Sequence, residues 1–194
     1  MLGRRQAGDT LIEVLFAVTI FSFVAVGGMA IMNQGTASAQ RSLELTLVRE
    51  EIDSQAEALR FIHDSYIAAY PNVTTGPGAQ WETIVSTRSV SQASTFGTCT
   101  PPASAFIVNP RAVTIETNAR MSTDVSTYAR LRFTTPTTTA LTMAEGIWVE
   151  AVRSNVVPGE STGYIDFHIR ACWSSVGQAQ PVTLGTIVRL YEPR

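Results

Sequence analysis

Nineteen consecutive uncharged residues, VLFAVTIFSFVAVGGMAIM at 14–32, limit this chain more than any other feature. At 1.5 Å per residue such a helix runs about 28 Å, close to the ~30 Å hydrocarbon thickness of a bilayer. Arg4 and Arg5 precede it, which places the N-terminus in the cytoplasm and the remainder outside. The apolar stretch is long for a secretory signal, although Ala37–Ala39 offers an AxA-like cleavage site as an alternative. The anomaly is Glu13, a carboxylate at the head of the run, with Asp9 just before it. An ionised carboxylate near lipid costs about 2.5 kcal/mol or more, so it normally has a partner or a task. Snorkelling to the interface would keep Glu13 wet, but does not account for the residues around it.

Those residues form a pattern. A short basic leader ends at Gly8; Asp9 and then TLIE at 10–13 follow, and the apolar helix begins at once. Together they resemble the type IV prepilin signature, over about 30 residues. The resemblance implies cleavage after Gly8 by a membrane peptidase on the cytoplasmic side. It makes Asp9 the first mature residue and Glu13 the fifth. It also implies a role for Glu13. Where apolar helices pack together away from water, a buried carboxylate needs a cation. The α-amine freed by cleavage on a neighbouring subunit supplies one, so the pair sets axial register. Two departures stand out. The first mature residue is usually an N-methylated Phe, and here it is Asp9, which places N-methylation in question. Many pilins carry a proline midway along this helix, whereas this chain has Gly27–Gly28 near that place and Ala30 where the proline often falls. Paired glycines weaken a helix by about 1 kcal/mol each. They serve either local unwinding or close helix–helix packing.

Beyond the membrane segment the pattern predicts a continuing helix over 33–70, closed by Pro71. Leu47 or Val48, Ile52, Gln55–Ala56, Leu59, Ile62 and Tyr66 recur every three to four residues as one apolar stripe. Glu44, Arg49, Glu50, Asp53, Glu57, Arg60 and Asp64 fall largely off it. The stripe is too short for a sustained coiled coil and is expected to dock on the chain's own sheet. The whole element would run about 90 Å. "YPNVTTGPG" at 70–78 reads as a stop and a loop. Strands are expected at Phe106–Val108, Val113–Thr117, Tyr128–Phe133, Gly146–Arg153, Gly163–Trp173 and Thr183–Tyr191, the last three as an antiparallel meander. In YIDFHIRACW, Ile165, Phe167, Ile169 and Ala171 alternate with Asp166, His168, Arg170 and Cys172, as in a strand with one face in water. The expected class is α+β and pilin-like: a leader (1–8), a membrane and filament-core helix half (9–32), an amphipathic half (33–70) and a β-rich extracytoplasmic head (71–194).

Cys99 and Cys172 lack metal or redox spacing. Outside the cytoplasm a disulfide is the natural reading, and two buried free thiols are the alternative. His63 and His168 have no metal-ligand spacing, and no nucleotide, zinc-hydrolase or nucleophile-elbow motif occurs. Trp81, Trp148 and Trp173 read as core, "TTPTTTA" at 134–140 as a solvated loop or contact surface, and Asn72–Thr74 as a weak glycosylation sequon. No metal, cofactor or enzymatic activity is expected. Losing Arg4 and Arg5 with the leader takes the formal charge from −2 to −4, which disfavours nucleic acid. All basic residues are Arg, a composition bias without functional content.

The resemblance then implies a structural subunit of a type IV pilus-like filament. Asp9 favours a minor pilin acting in assembly, adhesion or motility; a type II secretion pseudopilin or competence-pilus subunit is an alternative. Its partners would be other pilin subunits, the prepilin peptidase, the inner-membrane assembly platform and, before assembly, membrane lipid. It would pass once through the cytoplasmic membrane and then join a filament at the cell surface. The rivals from other classes are a non-polymerising anchored binding protein and an anchored enzyme.

Overall fold

The computed structural model describes residues 11–96, 99–117, 120–122, 128–154 and 163–192. They form two compact units, Met1–Arg41 and Ser42–Arg194. Helix α1 is continuous from Leu11 to Ala69. It passes through Gly27–Gly28 without a break, and a Cβ at either glycine would meet nothing within 4 Å.

In the second unit, Val48, Ile52, Ala56, Leu59 and Ile62 of α1 are buried in one core with Phe106, Ile107, Ile165, Phe167 and Ile169. The expected stripe therefore docks on the chain's own strands. Each large aliphatic side chain so buried contributes about 2 kcal/mol. Arg49, Glu50, Asp53, Glu57, Arg60 and Asp64 stay exposed, as expected. Glu44 does not: it is buried, and its carboxylate accepts hydrogen bonds from Trp173 Nε1 (3.1 Å) and Ser175 Oγ (2.6 Å). Its spacing explains this correction, since 44, 48 and 52 lie on one face of a helix.

The stop at Tyr70–Pro71 is present, but the segment after it is not all loop. A short helix α2 spans Pro77–Thr83 and continues into a π-helical turn, Ile84–Arg88. Pro77 stands at its first positions, where a missing N–H costs nothing. Trp81 of α2 is buried and stacks tilted on Phe167, with ring centroids 5.7 Å apart.

The main sheet has the order β1 (Ser89–Val90), β7 (Ile147–Arg153), β8 (Tyr164–Trp173), β9 (Val182–Tyr191). The antiparallel meander of the last three is as expected. Strand β1, which the sequence pattern did not show, pairs parallel with β7. A hairpin of β2 (Ile107–Asn109) and β3 (Thr114–Glu116) attaches to β7 through the Phe106–Val149 bridge. A third sheet has the order β4 (Arg120–Ser122), β6 (Leu141–Glu145), β5 (Arg130–Phe133), with β4 parallel to β6. Gly146 adopts φ 61° between β6 and β7, which lets one residue separate two strands. The class is α+β, a long N-terminal helix followed by antiparallel-rich sheets.

Two glutamines bind the hairpin into this core. Val108 and Ile115 face each other across β2–β3. Both turn backbone groups outward, as residues of a non-hydrogen-bonded antiparallel pair do. Gln55 of α1, fully buried, donates from Nε2 to the Val108 carbonyl (2.7 Å) and accepts from its N–H (2.9 Å). On the other edge, Gln80 of α2 accepts from Ile115 N–H (3.0 Å). A Gln55→Ala chain leaves a buried N–H and C=O without partners. We expect a loss of about 3 kcal/mol in chemical denaturation of the full chain in detergent. An unchanged midpoint would show that water replaces the amide without cost.

Candidate functional site

Two places carry the residues singled out from sequence: the head of α1, and a disulfide-pinned strap on the main sheet.

At the head of α1, Glu13 lies in the first described turn and is the only charged residue between Leu11 and Gln40. The large apolar side chains around and beyond it point outward all round the helix within their unit: Leu11, Phe16, Phe21, Phe23, Val26, Ile31 and Met32 are exposed. A helix apolar on every side belongs in lipid or among other such helices. The two hydroxyls within 14–32 are satisfied by the helix itself. Thr19 Oγ1 donates to the Phe16 carbonyl (3.0 Å) and Ser22 Oγ to that of Val18 (2.8 Å), so neither asks for water. The segment is long and apolar enough to cross a membrane. Gly8 and Asp9 lie outside the described residues.

The prokaryotic N-terminal methylation motif matches residues 3–29 of this chain, which takes in Gly8, Asp9, Glu13, Gly27 and Gly28. The chain fits a type IV pilin-like protein. Such a motif implies processing by prepilin peptidase and assembly into pilin-like filaments, with the apolar helix as the single-pass anchor typical of pilins. No curated protein and no solved structure matched the chain.

The second place lies in the second unit. Cys99 and Cys172 form a disulfide, with Cα atoms 5.7 Å apart. It ties the strap that follows β1 to the end of β8. The strap also explains a departure from the expected half-wet strand. Ile165, Phe167, Ile169 and Ala171 are buried as expected, and Asp166 and His168 are partly exposed, but Arg170 and Cys172 on the polar side are buried too. Strap residues cover them. Arg170 Nη1 donates to the Ser94 carbonyl (2.9 Å) and lies 3.4 Å from Glu150 Oε2. Glu150, itself 1% exposed, accepts from Ser94 N–H (2.9 Å) and Ser94 Oγ (3.0 Å). The Arg170 guanidinium carbon lies 5.0 Å from the centroid of the Phe96 ring, which is edge-on to Trp148 at 6.1 Å. A buried ion pair with its remaining acceptors filled is costly to break from either side. Trp148 Nε1 is buried without a partner among the described residues.

All three tryptophans are core residues, as expected. His63 packs edge-on against Trp81 at 4.8 Å and donates from Nε2 to the Tyr191 carbonyl (2.8 Å), which links α1 to the end of β9. Burial, and then the Arg170 charge, hold the His168 ring below the usual imidazole range. Among the described residues no three His, Cys, Asp or Glu side chains gather as metal ligands would.

Sequence reasoning missed Glu44, Gln80, Glu150 and Ser94. Glu44 had a signal in its helical spacing. Glu150 sits inside IWVEAVR, a strand buried along most of its length, and its partner Ser94 is 56 residues away, so nothing local marks it.

Proposed function

We propose that this chain is a minor pilin or pseudopilin, a structural rather than catalytic subunit of a type IV pilus-like filament. It is cut after Gly8, held in the cytoplasmic membrane with its N-terminus inside, and polymerised through α1, so that the head faces outward and serves assembly, adhesion or motility. One observation carries this reading: the methylation motif at 3–29 takes in the start of a helix whose lone charge, over some thirty residues, is Glu13. The specialised role is supported by Asp9. A carboxylate beside the new α-amine competes with Glu13 of a neighbour for it, and a bulk subunit repeating that contact along a whole filament would meet the penalty at every step.

The test is leader processing. In cells that contain prepilin peptidase, the full chain is expected to run as the shortened mature form. Gly8→Ala is expected to leave nearly all of it as precursor and to abolish its entry into filaments, by immunoblot of membrane and sheared-filament fractions. A Gly8→Ala chain that is processed and incorporated like the wild type would remove the main support for this reading. A non-polymerising anchored binding protein would be processed or not, but would stay in the membrane fraction.

A further inference from the structure

We propose that the head carries a binding site for a short acidic saccharide, in the groove between β5 and the 134–140 loop. The groove, about 380 Å³, is lined by Arg111, Tyr128, Arg130, Arg132 and Thr134–Pro136 among others. Three guanidiniums thus line one concavity in a chain whose net charge is negative.

Each is held in place by its neighbours. Asn109, 1% exposed, shapes the turn: its Oδ1 accepts from Arg111 N–H (3.0 Å), and its Nδ2 donates to the Thr139 carbonyl (2.6 Å). The Arg111 guanidinium then lies 3.8 Å over the Phe133 ring and donates from Nη1 to the carbonyls of Pro136 and Thr138 (both 2.8 Å). Arg130 and Arg132 alternate with Leu131 and point to the same face of β5. Both donate from Nε to one carboxylate, Glu145, at 3.0 and 2.6 Å. Burial pushes Glu145 up, but the hydrogen bonds from Arg132 and Arg130 outweigh it and hold the carboxyl below its ordinary range.

This arrangement does more than neutralise Glu145. Glu145 pairs with only two of the three guanidiniums, and it engages Arg130 and Arg132 through Nε only. Among the described residues their Nη2 groups, and that of Arg111, have no partner. Planar N–H forks fixed by stacking and by side-on pairing lose little freedom when they bind an oxyanion. Tyr128, Thr134 and Thr135 line the same groove and bring hydroxyls that match those of a sugar. A carboxylate-bearing saccharide fits this mixture. An extended nucleic acid does not, because it needs a track of cations and the chain as a whole is acidic. The proposal does not depend on whether the subunit polymerises.

The test uses the full chain in detergent, titrated calorimetrically at low ionic strength with a uronic-acid tetrasaccharide. Its carboxyl-reduced neutral counterpart, inorganic phosphate and a single-stranded oligonucleotide are run in parallel. Saturable binding of the acidic saccharide is expected, weakened about tenfold or more by carboxyl reduction, by Arg132→Gln or by Arg111→Gln, and weakened by salt. Arg111 also braces the loop. If Arg111→Gln lowers the melting temperature, the half-exposed Arg132→Gln alone decides. Absent saturation, equal binding of the neutral saccharide, or Arg132→Gln binding like the wild type would each overturn the proposal. Tighter binding of the oligonucleotide or of inorganic phosphate would overturn it in favour of a phosphate site.

Discussion

A Glu13→Ala chain is expected to be cleaved and inserted normally, yet to enter filaments at least about tenfold less often than the wild type. The reason is an asymmetry in charge burial. In a bundle of helices as apolar as 14–32, the α-amine left by cleavage has no water to solvate it. Breaking a buried pair by removing one partner costs about 3–5 kcal/mol, because the other charge stays behind unpaired. Each 1.4 kcal/mol is a factor of ten, so even the low end gives a hundredfold weaker contact before other packing compensates. Glu13→Asp keeps the charge but shortens its reach, and is expected to fall between the two. The ratio of filament to membrane antigen measures it. A Glu13→Ala chain that incorporates normally would remove the pairing mechanism while leaving the processing argument intact.

The second large effect concerns the head. Reducing the Cys99–Cys172 bond, or replacing Cys172 by Ser, is expected to lower stability by about 4 kcal/mol. The bond closes a sequence separation of 73 residues. In the chain-entropy account, releasing a loop of that size frees the unfolded chain by about this amount. The native state also loses, since Cys172 is 3% exposed among Ala105, Trp148 and Phe96 and a Ser hydroxyl there has no partner designed for it. For a domain of this size the melting temperature should drop by about 10 °C. Intact-mass spectrometry with and without reduction establishes the bond itself. If oxidised and reduced chains melt together, the Glu150–Arg170–Ser94 contacts hold the strap unaided.

The N-terminal motif and its apolar helix were legible because their constraints are local. A membrane helix, an acid placed within it and a glycine before it are read from about thirty contiguous residues. The amphipathic half was equally legible, since a stripe at helical spacing has few other places to go. So were the three strands β7, β8 and β9, which are long and alternate cleanly. What sequence left hidden depends on distance along the chain. Strand β6 is five residues with weak alternation, and it becomes a strand by lying between β4 and β5. The two-residue β1 exists only because β7 offers it an edge. The polar side of β8 looked solvent-facing because Arg170 is a charged residue in an alternating pattern. Its burial follows from Glu150, and from a strap some 75 residues earlier that a disulfide holds in place. Glu44 shows the converse case, in which residue type misled and helical spacing was the better guide.

The pairing of Glu13 with a neighbour's α-amine requires the cut after Gly8. The most direct measurement is the N-terminal mass of the full chain purified from cells that make prepilin peptidase. Loss of residues 1–8, leaving Asp9 as the first residue, is the predicted result, and a methyl group on its amine would show in the same spectrum. A chain that retains Met1–Gly8 beside an active peptidase, or begins beyond Ala39 after signal-type cleavage, would contradict it.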